Sequence, residues 1–247
     1  MFVGVGTLIN VLAILIGTFF GRFFGNRIKS RTRELLTDVL GAVTLIGAAS
    51  ALASLFEEEF LSSVPDGSPL LIVLGALILG GLIGSWLRIE DRLNSLGTKL
   101  KDRFATTKST ASNENFVTGF VTASLIFVIG PLAILGSISD GMSTGIDQLM
   151  LKSILDFFAS IAFAASLGWG VAFSAIPVGI YQGIWTFVGF VLGSVLDDYQ
   201  VEAMTATGGV LLLGIALKLL RIREIAIGDL LPALAVAPFL ALLASNI

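Results

Sequence analysis

The chain has 247 residues, 55% hydrophobic and 13% charged, with a formal net charge of -3 and a mean hydropathy of +0.94. Soluble domains carry about 25% charged residues, so this composition excludes an ordinary soluble fold, and no basic nucleic-acid footprint is present. With neither Cys nor His, thiolate and imidazole metal sites, Cys- or His-dependent triads and imidazole proton relays are excluded as well.

A spanning helix needs roughly 20 apolar residues to cross a hydrocarbon core of about 30 Å. Such runs fall at residues 3–25, 35–56, 69–88, 116–138, 149–170, 174–196, 203–220 and 226–245. They predict an all-α polytopic membrane protein of about eight spans whose main partner is the lipid bilayer. The first run carries its positive residues behind the apolar stretch, where a cleavable signal has them in front, so it reads as a retained span. The apolar stretch 149–196 is too long for one span and is expected to divide near Gly168-Trp169-Gly170 or at Pro177.

Cytoplasmic loops attract Lys and Arg. With eight spans, Arg22, Arg27, Lys29, Arg31 and Arg33 follow the first, Arg88, Arg92, Lys99, Lys101, Arg103 and Lys108 the third, and Lys218, Arg221 and Arg223 the seventh. Every basic residue except Lys152 thus falls on one side, while Glu57, Glu58, Glu59, Asp66, Asp140, Asp147, Asp197 and Asp198 fall on the other. This pattern predicts a multi-pass protein of the bacterial inner membrane with both termini outside the cytoplasm. In the long loop 89–115, Ile89, Leu93, Leu96, Leu100 and Phe104 recur at helical spacing with basic residues between them, predicting a helix on the membrane surface, followed by polar loop from Thr107 to Asn115.

Segments one and six share a pattern: Asn10, Gly17 and Gly21 match Gln182, Gly189 and Gly193 at one constant offset. Gly41 and Gly47 match Gly208 and Gly214 at a second offset, with Val43 over Val210 and Leu45 over Leu212. On the topology above these triplets have inverted orientation, a recurrent design of secondary transporters. The expected organisation is a first three-helix repeat at 1–88, a cytoplasmic loop at 89–115, central helices four and five at 116–173, and an inverted second repeat at 174–247. Taken singly, each glycine pair also fits plain close packing of helices, and glycine-rich faces would suit a homodimer.

Lys152, Asp156 and Ser160 lie on one face of segment five. A charge near the bilayer centre costs roughly 2.5–3.5 kcal/mol on insertion scales, so such residues meet a partner or a cavity. At i, i+4, Lys152 and Asp156 neutralise one another, either as a structural pair or as an ion or proton site whose charge Lys152 tunes. In segment four, Gly130-Pro131 predicts a kink, followed by Ser137 and Asp140; broken helices at depth expose backbone groups that bind solutes. Asn10 and Gln182, with Tyr181 beside the latter, bridge helices or contact solute. The candidate site is therefore Asp156, Lys152, Ser160, Asn10, Gln182, Tyr181, Gly130, Ser137 and Asp140, with no cofactor expected and any metal left open.

The runs Gly6-Thr7-Leu8-Ile9-Asn10, Gly130-Pro131-Leu132-Ala133-Ile134-Leu135-Gly136-Ser137-Ile138-Ser139-Asp140-Gly141, Lys152-Ser153-Ile154-Leu155-Asp156, Tyr181-Gln182-Gly183 and Leu230-Leu231-Pro232-Ala233-Leu234 resemble the bacterial YdfK/YqgA-like membrane proteins, the domain-of-unknown-function family 554. That resemblance implies an integral inner-membrane protein and carries no family activity or substrate. Ala226-Ile227-Gly228-Asp229 partly resembles the Gly-x-Gly-Asp signature of intramembrane aspartyl proteases, but Ala226 replaces its first glycine and the Tyr-Asp partner motif is missing, so no enzyme is expected. The leading expectation is a transporter of an ion or small polar solute working by alternating access; an ion channel, or a structural or partner-binding membrane protein, are the alternatives.

Overall fold

The computed structural model describes residues 2–25, 29–104, 110–193 and 196–247, and all regular structure among them is helical. The α-helices are α1 (Val5–Gly25), α2 (Ser30–Leu52), α3 (Glu58–Ser63), α4 (Ser68–Leu87), α5 (Ile89–Phe104), α6 (Thr110–Val128), α7 (Pro131–Gly141), α8 (Asp147–Leu167), α9 (Gly170–Phe173), α10 (Ala175–Leu192), α11 (Asp198–Leu219), α12 (Ile227–Leu230) and α13 (Ala233–Ala244). Helices satisfy every backbone donor and acceptor within one segment, which a bilayer without water requires. Among the described residues, seven stretches are long and apolar enough to cross a membrane, or eight if the bent pair α6 and α7 counts as one span.

The breaks follow local backbone chemistry. Between α6 and α7 the chain turns by 64°, because Pro131 has no amide to continue the ladder and Gly130 takes a φ of +132° that a side chain would resist. The long apolar stretch divides at Gly168, φ +92°, and Pro177 sits in the first turn of α10, where its missing N–H is harmless. One expectation is corrected: the polar segment taken as loop up to Asn115 is helical from Thr110. Thr, Ser and Asn are favoured at a helix start, and polar residues there extend the helix beyond the membrane instead of ending it. Arg27 and Lys108, and the loop from Thr107 to Ser109, lie outside the described residues.

Two compact units emerge. The first comprises α1, the start of α2, most of α5, and α6 to α10. Its centre is the pair α1 and α8, which run parallel: Gly6 meets Leu149, Gly17 meets Phe157 and Ser160, Gly21 meets Ile161 and Ala164, and Gly25 meets Ala165. A Cβ on Gly17 or Gly21 would fall 2.9 Å from the Cβ of Ser160 or Ala164 and closer still to a carbonyl oxygen, so glycine is what lets the two backbones touch. α10 also packs on α1 and runs antiparallel to it, with Thr7 opposite Thr186 and Val11 opposite Gly179. The amphipathic α5 docks through Gly97, against Val117 and Phe120 of α6.

The second unit comprises the rest of α2 with α3, α4, α11, α12 and α13. Its core is made of small residues: Ala76, Ala203, Ala233, Ala237 and Ala241 cluster with Phe60 and Ile72. α4 and α13 run antiparallel, with Gly75 near Leu240 and Gly80 against Ala233. α2 and α11 are likewise antiparallel, Gly41 meeting Leu220 and Gly209 meeting Leu52. The outward residues are large and apolar, as with Leu82 and Trp86, the latter 83% exposed; in water such faces would drive aggregation, whereas lipid solvates them.

Candidate functional site

The first unit holds a buried polar cluster. Asp156, on α8, is buried and accepts two hydrogen bonds at the same oxygen, Oδ2: one from Lys152 Nζ at 2.6 Å and one from Asn10 Nδ2 at 3.0 Å. The i, i+4 spacing on α8 makes the first contact, and the close approach of α1 and α8 makes the second. Lys152 Nζ also lies 5.9 Å from the ring centre of Phe127 on α6, within cation–π range.

In the same unit, four fully buried side chains, of which Asn10 touches the ion pair, have polar atoms without a hydrogen-bond partner among the described residues: Asn10 Oδ1, Thr18 Oγ1, Ser160 Oγ, and both Nε2 and Oε1 of Gln182. Ser160 lies one turn past Asp156 and borders Gly17, the neighbour of Thr18. Gln182 lies between Gly179 and Thr186, which face Val11 and Thr7, so the register places it at the level of Asn10. Unpartnered polar groups at depth cost roughly 1–3 kcal/mol each, and native proteins keep few of them. Beyond Gln182, a shallow, open surface depression of about 260 Å³ lies between the ends of α1 and α10, lined by Val3, Gly4, Thr7, Gly183, Thr186 and Phe187 among others.

The remaining candidates sit elsewhere. Asp140, read from the sequence as a residue of the outer loop, ends α7 instead, where it is buried and accepts from the amides of Gly4 at 3.2 Å and Gly6 at 3.0 Å. It caps the start of α1, where free amides and the helix dipole favour a carboxylate. Ser137 donates to the Ala133 carbonyl of its own helix at 2.6 Å. Tyr181 is half-buried, stacked edge-on against Trp185. Gly130 forms the break between α6 and α7.

Three contributors escape sequence reasoning: Thr18, the Thr7–Thr186 contact at 3.4 Å, and Phe127. Thr18 was accessible in principle, since it shares the buried α1 face with Asn10, Ile14, Gly17 and Gly21; the other two depend on helices far apart in sequence. In the second unit, Asp229 of the protease-like run accepts from the Glu90 amide at 2.9 Å, while Glu90 accepts from the Gly228 amide at 2.8 Å and pairs with Lys218 at 3.4 Å. That carboxylate pair joins two helix starts by mutual capping.

These features define a polytopic helical membrane protein with a buried ion pair and, among the described residues, buried polar atoms left unpartnered inside its apolar helices. A family model described as "Protein of unknown function (DUF554)" matches residues 5–242, and the chain belongs to that family. It is similar to the uncharacterized membrane protein YdfK of Bacillus subtilis (strain 168), 28% identical over 233 residues that cover 94% of this chain and 93% of the relative. It is also similar to the uncharacterized protein YqgA of Escherichia coli (strain K12), 28% identical over 233 residues that cover 94% of each chain. No solved structure matches the chain.

Proposed function

We propose that the protein is a transporter that moves an ion or a small polar solute across the bacterial inner membrane by alternating access. The observation that carries this reading is the buried Lys152–Asp156 ion pair, bonded to Asn10, together with buried polar atoms on α1, α8 and α10 that have no hydrogen-bond partner among the described residues. Intramembrane ionisable groups are expensive, and they commonly mark an ion or substrate path. A purely structural ion pair gives no reason for Gln182 to be buried with both ends of its amide unbonded.

Helix directions support the topology. α8 runs parallel to α1, as it must if α2, α4 and the bent pair α6–α7 each cross once; a bent pair that turned back would reverse α8. Eight crossings place both termini on one side, and the basic loops favour the other side as cytoplasmic. The antiparallel packing of α1 and α10 is the relation an inverted repeat requires of Asn10 and Gln182, and it supports that arrangement. A homodimer, if it forms, would use faces such as those bearing Gly47 and Gly183, which have no neighbour within 4 Å; the glycines of α1 and α4 are already used within the chain. Catalysis is not part of this reading, because Asp229 is engaged in helix capping.

The test is flux. Purified protein in proteoliposomes is assayed against a panel of monovalent cations and small polar solutes, with Asp156→Asn alongside. Uptake that depends on Asp156 supports the proposal. No uptake across the panel sinks it, and unitary currents in planar bilayers would replace alternating access by a pore.

A further inference from the structure

We infer that the Asp156 cluster binds a monovalent metal cation, and that Lys152 is a tethered competitor which holds the same place through its ammonium group. The inference rests on the transport reading and names what the site takes.

Charge balance points first to a monovalent ion. Among the described residues, Asp156 is countered by Lys152, and Asn10, Ser160 and Gln182 are neutral. Exchanging the ammonium for one monovalent cation keeps the buried region neutral, whereas a divalent ion would leave an uncompensated charge in a medium that solvates it poorly. Among the described residues no group of three His, Cys, Asp or Glu side chains could hold a metal ion, so a divalent site on acidic ligands has no support.

The unpartnered atoms distinguish a metal ion from a proton. A proton would engage Asp156 and leave the neighbours as they are. A dehydrated cation needs several oxygens in place of its hydration shell. Asn10 uses Nδ2 on Asp156 while its Oδ1 is buried without a partner among the described residues. Ser160 Oγ follows one turn along α8, and the register of α1 and α10 brings Gln182, whose Oε1 is unpartnered among the described residues, to the level of Asn10. The Nε2 of Gln182 is also unpartnered among the described residues, so no hydrogen bond among them fixes which end of that amide faces inward.

Lys152 also has an alternative place to rest. It is rooted in the second turn of α8, which starts at Asp147, so its flexible four-carbon stem carries an ammonium displaced from Asp156 toward that end of the helix and out of the buried region, leaving the metal cation as the counter-charge of Asp156.

The experiment is equilibrium binding of radiolabelled Na⁺ and Rb⁺ to protein in lipid nanodiscs, with choline as the balancing cation. Lys152→Met should bind about tenfold or more tightly than wild type, because the competing population is removed. Lys152→Arg, which keeps a tethered cation, should show no gain, and Asp156→Asn should lose binding. Equal affinities in wild type and Lys152→Met, or binding that survives Asp156→Asn, would overturn the inference. If Lys152→Met does not fold, thermal unfolding decides: NaCl or RbCl must raise the Tm of wild type above its value in choline chloride, and no cation-specific shift refutes the site. Binding without flux would sink the transport reading but keep the site, while flux of a solute without cation binding would do the opposite.

Discussion

Gly17→Ala tests whether the contact of α1 with α8 holds the polar cluster in place. The added Cβ would stand 2.9 Å from Ser160 Cβ and closer to the Phe157 carbonyl oxygen. Because that oxygen belongs to backbone, no rotamer change relieves the clash, and the helices must part by about 0.5–1 Å to restore van der Waals distance. Overpacking of this kind costs about 1–3 kcal/mol. The same separation stretches the 3.0 Å bond from Asn10 to Asp156 toward its limit, and its loss would add about 1.5–3 kcal/mol, the range for hydrogen bonds to charged groups. Gly47→Ala is the control: its Cβ meets nothing within 4 Å in the middle of α2, and Ala gains up to about 1 kcal/mol in helix propensity. Heating detergent-solubilised protein and following the surviving monodisperse fraction by size exclusion measures both. Gly17→Ala should melt lower than wild type by about 2–12 °C if the Asn10–Asp156 bond survives and by about 5–24 °C if it is lost, using 2–4 °C per kcal/mol for a chain of this size, and Gly47→Ala at or above wild type. Matching melting temperatures for the two variants would refute the packing argument.

Other substitutions separate scaffold from site. Asp140→Ala removes the acceptor of the Gly4 and Gly6 amides; it should cost about 1–2 kcal/mol and speed hydrogen exchange in the first turns of α1 while leaving cation binding intact. Glu90→Gln keeps an acceptor for Gly228 and should shift thermal stability by under about 1 kcal/mol, whereas Glu90→Ala strands that amide and should cost about 1–3 kcal/mol. The chain has no native Cys, so single replacements report topology directly. Ser62→Cys, on exposed α3, should react with an impermeant maleimide added outside cells, and Ser95→Cys, on exposed α5, should not; the reverse pattern would invert the proposed orientation.

Hydropathy made the spans legible because each must cover the same apolar thickness, and Gly130-Pro131 and Gly168 marked breaks through backbone chemistry that needs no tertiary partner. Lys152 and Asp156 were visible as a pair because their contact is local to one helix. Asn10 was visible as a candidate because an amide in a bilayer needs a partner, but its partner, Asp156, lies on another helix and follows from the α1–α8 register, which no local pattern encodes. The same holds for Asp140: its carboxylate appeared to belong to a loop, and only folding brings it to the amides of Gly4 and Gly6. The glycines signalled close packing, yet a glycine specifies no partner. Gly17 therefore reads the same whether it faces α8, lipid or a second copy of the chain.

The central claim is that a monovalent cation crosses the membrane by way of Asp156. It is tested most directly by uptake of radiolabelled Na⁺ or Rb⁺ into proteoliposomes containing wild type or Asp156→Asn, each shown to be folded by size exclusion. The account predicts saturable uptake by the wild type and uptake no greater than that of empty liposomes for Asp156→Asn. Equal uptake by the two proteins, or none by either, would contradict it.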